Sequence, residues 1–349
     1  MGTASVAPAV SDVQEDDQES CWRDALAPYA KADLRRSLIC LGTSVVPYCA
    51  LMVVMWLLLP VSYALVLLVA IPASGFLVRT FIVFHDCSHG SFMPTKRGNA
   101  WVGVLVGLFV YSPFHSWRHE HAMHHATSGD LDRRGLGDVE TWTVAEYRSK
   151  PWLSRLGYRL FRSPFVMFTL GPIWALALAP RMVPIHARPR IRRSHLYTDI
   201  ALVALVGGLI LLIGWQAYLL LQIPVVLLGG GTGVWLFYVQ HQFEDAYWEH
   251  SNEWSYVDAA LAGSTYLKLP KVLQFFTGNI GLHHIHHLLA RIPNYTLPRA
   301  HDENSFLHRA PTISLWQGLG AVRFKLYDED ARRMVTFAQA RASVVGRTA

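Results

Sequence analysis

Nine histidines fall into four short groups: His85 and His89 in H-D-C-S-H, His121, His124 and His125 in H-A-M-H-H, His241 in H-Q-F-E, and His283, His286 and His287 in H-H-I-H-H. On a helix, residues i and i+4 lie about 40° apart, and i, i+3 and i+4 share a face. Each H-x-x-x-H or H-x-x-H-H pair or triplet can therefore aim its imidazoles at one point. One zinc takes about four ligands, so nine imidazoles imply two metal ions in a shared site. Imidazole suits zinc, iron, copper or nickel, and spacing does not choose among them. The spacing favours His283 over His284 as the ring that faces the metal, and His115 and His119 fit the helical face less well. A pH sensor would need one or two histidines. An intramembrane zinc protease would need H-E-x-x-H, but Asp86 holds that second position and no other group has Glu there. The four cysteines (Cys21, Cys40, Cys49 and Cys87) show no C-x-x-C spacing, which argues against a disulfide framework or a thiolate zinc site.

These groups have to be held by the rest of the chain, which is 52% apolar and only 16% charged over 349 residues. Soluble proteins average about 25% charged residues, so a membrane domain is expected. Residues 38–60 carry no charge, and neither do residues 61–78. With about 20 apolar residues needed per crossing, they predict spans over 38–60 and 61–84, joined by a turn at Pro60, Val61 and Ser62. Residues 200–243 lack Asp, Glu, Lys and Arg altogether and predict two more spans, about 200–221 and 223–241, with the turn at Pro224. The runs 100–111 and 164–180 are short or interrupted by Pro172. The turns at 60–62 and 214–224 carry no Lys or Arg, so the positive-inside rule puts both termini in the cytoplasm. All four histidine groups then lie on the cytoplasmic side, which requires that 100–111 and 164–180 do not cross.

Residues 1–30 are expected to be a disordered cytoplasmic leader and 31–349 a single membrane domain, with a cap built from 85–199 and 242–349. The first 20 residues lack the basic and apolar regions of a secretory signal. Residues 312–340 read as an amphipathic helix that closes the cap, with Leu315, Leu319, Val322, Leu326 and Met334 on a 3.6 spacing. The glycine run from Gly229 to Gly233 sits inside a span and reads as close helix packing. The fold class expected is all-α and membrane-integral: four transmembrane helices under a cytosolic helical cap.

The stretches HDCSHGSF (85–92), WRHEHAMHHATSGDLDRRGLGDV (117–139), HQFEDAYWE (241–249) and LPKVLQFFTGNIGLHHIHHLLARIPNY (269–295) resemble the membrane fatty-acid desaturase family, in particular its bacterial acyl-lipid branch. The resemblance covers most of residues 80–340. It implies a non-haem di-iron centre of two Fe ions, held by His85 and His89, by His121, His124 and His125, by His283, His286 and His287, and by His241 as an isolated ligand. It also implies that O2 and two electrons remove two hydrogens from neighbouring methylenes of an acyl lipid or thioester. Asp86, Asp130, Asp132, Glu244, Asp245 and Asn279 are candidates to fix the rings from behind, Asn279 because it precedes His283 by four residues. The acyl chain needs an apolar tunnel, expected along 80–84, 101–111 and 234–238.

The chain shows no H-P-G-G and no G-x-G-x-x-G, so a separate electron donor is expected, ferredoxin by resemblance. The arginine-rich run 181–193 either steers that donor, meets anionic headgroups of membrane lipids, or satisfies the positive-inside bias, with the last two favoured. No nucleic-acid partner is expected, and the bacterial inner membrane is the expected location. A related hydroxylase or ketolase acting on a non-acyl lipid, or a zinc hydrolase or receptor, remain the alternative readings.

Overall fold

The computed structural model describes residues 22–135 and 137–345. Four of its helices are long and apolar enough to cross a membrane: α1 (Leu34–Leu58), α2 (Tyr63–His89) and, after the cap's first half, Pro189–Ile213 and Trp215–His241. Helix α1 starts where the Asp33 side chain accepts a hydrogen bond from the Arg36 N–H, an N-cap that satisfies one orphan donor. Helix α2 ends at Gly90, whose φ of +71° suits a residue without Cβ. At 27 residues, α2 is about 40 Å long, roughly 10 Å more than the hydrocarbon core. His85 and His89 lie in the last two turns, within that surplus length.

Helix α3 (Lys96–Gly107) has 12 residues, too few to cross, as its length in the sequence suggests. It leads into α4 (Phe114–Thr127), which carries the second histidine group. Gly103 admits the Phe114 ring between the two, since a Cβ there would lie 2.2 Å from the ring. Helix α5 (Trp152–Phe161) is followed by Val166–Arg181, a run of π-helical and 3-10 turns bent 57° away from it. This run packs along the last long helix, with Pro172 against Gly230 and the Phe168 carbonyl against Gly231.

The second pair of long helices, α6 (Pro189–Ile213) and α7 (Trp215–His241), does not turn at Pro224. The turn is Gly214, with φ +85°, and Pro224 lies inside α7. A bilayer-spanning helix tolerates proline, whereas a positive φ selects glycine. The third span therefore starts earlier than expected, at Pro189, with proline in its first turn.

The third histidine group forms the short helix α8 (His283–Leu288). The cap also holds two small sheets. Strand β1 (Trp142–Thr143) pairs in parallel with Leu326–Asp328, which pairs antiparallel with Arg333–Val335; Tyr266–Lys268 pairs in parallel with Thr312–Ser314. The helix expected over 312–340 is thus broken up. Helix is confined to Leu315–Ala321 and to the start of Phe337–Val345; Leu326 and Met334 are buried instead as strand residues. Gly318 and Gly320 weaken that helix, and the polar stretch 328–332 turns the chain back. The leader expected over residues 1–30 lies mostly outside the described residues, which leave out 1–21, but Trp22 and Leu26 are buried in the cluster that includes Ile285 and Leu288 of α8.

Candidate metal centre

The ends of α2 and α7 and the helices α4 and α8 bring the nine selected histidines together as two adjoining groups. His85, His89, His121, His125 and His286 form one, and His124, His241, His283 and His287 the other; within each, the ligand atoms lie within 4.8 Å of one another. The groups share a wall, where the His125 and His287 rings stack with centroids 4.1 Å apart. The triplet 121, 124, 125 is split between them. His124 stands on the other flank of the α4 face from His121 and His125, a division that spacing alone does not show.

The nitrogens converge. Nε2 of His125 lies 3.2 Å from that of His121 and 3.0 Å from that of His286. Nε2 of His283 lies 3.0 Å from that of His241 and 3.1 Å from that of His287. Metal–imidazole bonds of about 2.1 Å put neighbouring ligands about 3.0 Å apart in an octahedron and about 3.4 Å apart in a tetrahedron, so the observed edges suit a metal. Nε2 of His89 and of His124 is buried without a protein partner, which is costly unless something else satisfies it. Burial, and then the charges of neighbouring rings, push His121, His125, His283, His286 and His287 well below the usual histidine range. They stay neutral, the form a metal ligand needs.

Three rings are fixed from behind. Asp86 Oδ1 lies 3.1 Å from His85 Nδ1, and Asp86 Oδ2 accepts from both the backbone and the side-chain amide of Asn294, each at 2.8 Å. Asp138 pairs with His124 Nδ1, and the Gly263 carbonyl lies 3.3 Å from His241 Nδ1. In each case the outer acceptor holds the proton on Nδ1 and leaves Nε2 facing inward.

Of the outer candidates read from sequence, only Asp86 takes this role. Asp130 binds Arg133 and Ser251, and Asp132 binds His250. Glu244 faces Arg333, and Asp245 is exposed. Asn279, with φ +59°, donates to the Asn294 carbonyl rather than touching His283. Asp138 and Asn294 were missed, although both lie in the quoted stretches. His284 turns away from both groups toward Tyr266 and His301. Neither His115 nor His119 joins them.

A mostly apolar cavity of about 490 Å³ reaches His85, His121 and His283, within the usual range for ligand sites. Its walls include Phe81 and Ile82 of α2 and Val234, Leu236 and Phe237 of α7, as expected. Of 101–111 only Val110 contributes; Pro172–Pro180 supplies the wall instead. Trp101 is 70% exposed, so it faces away from the cavity.

A family description, fatty acid desaturase, matches residues 56–312. The chain belongs to the fatty acid desaturase family. It is 46% identical over 312 residues to a fatty acid desaturase of Bacillus subtilis, covering 89% of both chains. It is also 30% identical over 235 residues to a Synechocystis sn-1 acyl-lipid omega-3 desaturase (ferredoxin), covering 63% of this chain and 62% of the relative. A Synechocystis sn-1 oleoyl-lipid 12-desaturase is 28% identical over 287 residues, 76% of this chain and 73% of the relative. The enzyme is therefore a membrane oxidoreductase of lipid metabolism, and its histidine clusters are compatible with a metal site.

Proposed function

We propose that the enzyme inserts a cis double bond into a fatty acyl chain at a di-iron centre. One iron would be held by His85, His89, His121, His125 and His286, the other by His124, His241, His283 and His287. The observation that carries this reading is the pair of adjoining, buried or half-buried, nitrogen-only groups opening onto one apolar cavity. When bound, the irons supply the O2-dependent oxidation that removes two hydrogens from unactivated methylenes, chemistry that acid–base side chains do not provide.

The protein's own share is positioning. Asp86, Asp138 and the Gly263 carbonyl set ring tautomers, and Trp117 stacks on His121 at 4.3 Å. Phe81, Ile82 and Phe237 line the path of the chain and exclude water from it. The substrate is an acyl lipid or thioester, and electrons come from a separate protein; ferredoxin is the donor named for the Synechocystis omega-3 relative. The enzyme sits in the bacterial inner membrane with its centre on the cytoplasmic side, which the lack of Lys and Arg in the 60–62 and 214–224 turns supports.

The test is expression in a bacterial host without a membrane desaturase, with metal analysis of the purified protein and mass-spectrometric localisation of double bonds in the lipids. Iron and new double bonds are expected, and His286→Ala should abolish the product. Zinc without iron would sink the reading, and new hydroxyl or keto groups would turn it toward a hydroxylase or ketolase.

A further inference from the structure

The glycines between 229 and 233 do not share one role. A Cβ on Gly229 would lie 3.2 Å from the Ser74 carbonyl, one on Gly230 2.8 Å from Pro172, and one on Gly231 3.0 Å from the Phe168 carbonyl. These three permit close packing against α2 and the bent segment. Gly233 differs. A Cβ there meets nothing within 4 Å, yet the residue is half-buried and lines the cavity. The open space beside it is therefore the cavity itself.

Gly230, Gly233, Phe237 and Gln240 all line this cavity and recur every three or four residues, so they share one face of α7. Gly233 stands eight residues before His241, about 12 Å along the helix. Gly229 and Gly230 are three to four residues deeper, about another 4.5–6 Å. On the facing wall Leu77, Val78 and Phe81 lead along α2 to His85. The deep end, with Leu77, Pro172 and Leu176, is apolar and suits the methyl end of a chain.

We propose that Gly233 determines how far the methyl end of the acyl chain runs past the metal centre, and so selects substrate chain length. This rests on the reading of the cavity as the acyl site. A side chain at 233 closes off roughly the deepest 4.5–6 Å. With C–C bonds of about 1.5 Å, whose zigzag advances about 1.25 Å per carbon, that is roughly four carbons.

The test feeds octadecanoyl and tetradecanoyl chains to the host expressing the full-length enzyme, its Gly233→Ala and Gly233→Leu variants, and Gly208→Leu. Gly208 is exposed on α6 with open space around it, and serves as the control. The ratio of octadecanoyl to tetradecanoyl product should fall by at least about tenfold in Gly233→Leu, since a single methylene that does not fit a pocket already costs that much. It should fall less in Gly233→Ala and stay unchanged in Gly208→Leu. An unchanged ratio in an active Gly233→Leu enzyme overturns the inference, as does an equal fall on both chains with normal metal content. If the leucine variant fails to accumulate, the alanine variant decides by the same ratio. A wild-type enzyme that forms no double bond in either chain overturns the acyl reading itself, and the inference with it.

Discussion

Asp86→Asn keeps the shape of a buried side chain, 2% exposed, and changes one oxygen to an NH2 group. The carboxylate faces three donors: His85 Nδ1 on Oδ1, and the Asn294 backbone and side-chain amides on Oδ2. An amide can meet them in two ways. With its NH2 toward Asn294, two buried N–H groups lose their acceptor, at about 1–3 kcal/mol each. With its NH2 toward His85, the oxygen still serves Asn294, and the histidine proton moves from Nδ1 to Nε2. The second arrangement is cheaper, because one proton relocates and no donor is stranded. It puts a proton on the nitrogen that faces the cluster, so the variant should fold and bind metal poorly. Losing such an outer partner typically costs 10–100-fold in metal affinity, about 1.4–2.7 kcal/mol. The assay equilibrates purified wild type and variant with graded chelator and reads metal per chain, alongside thermal unfolding of the metal-free forms. The variant should release metal at 10–100-fold lower chelator strength, with a small change in Tm. Wild-type metal retention at every chelator level would refute the reasoning.

His283→Leu should lower metal content by up to half, because it removes one of the four nitrogens of its group, whereas His284→Leu should leave metal content intact; both are read by metal analysis, and loss of metal in the 284 variant would reverse the assignment. Lys325, 5% exposed, sets its Nζ 4.0 Å from Met167 Sδ and over the Tyr238 ring. Burial, and then the charge of Arg162, push its ammonium down to about 7. The unfolded chain holds that proton up to about pH 10.4, so in the window from pH 7 to 10 the unfolded state binds more protons and native stability rises with pH. Lys325→Met should raise Tm most below pH 7 and leave it unchanged above about pH 10; a shift of equal size at every pH would disprove this origin.

The histidine groups were legible in the sequence because their signal is local. Each group lies on one short segment, and the spacing of 85 and 89, or of 121 and 125, is itself the geometry. The long helices were equally legible, since a run of about 20 apolar residues has few other uses. What failed depended on space rather than spacing. Asp130 and Asp132 stand near the second group in the chain but spend their charge on Arg133, Ser251 and His250. Asp138 stands 14 residues from His124 and reaches it. Strands of two or three residues carry no readable period, so the 312–340 pattern passed for a helix while Leu326 and Met334 were placed by pairing in a sheet. The turn at Gly214 and the cavity beside Gly233 follow the same logic. Both depend on where a missing Cβ points, and a glycine in a sequence does not say whether its open side meets a backbone, lipid or a substrate. That distinction appears only when the neighbours are placed, which is why one glycine-rich run holds both packing positions and a wall of the cavity.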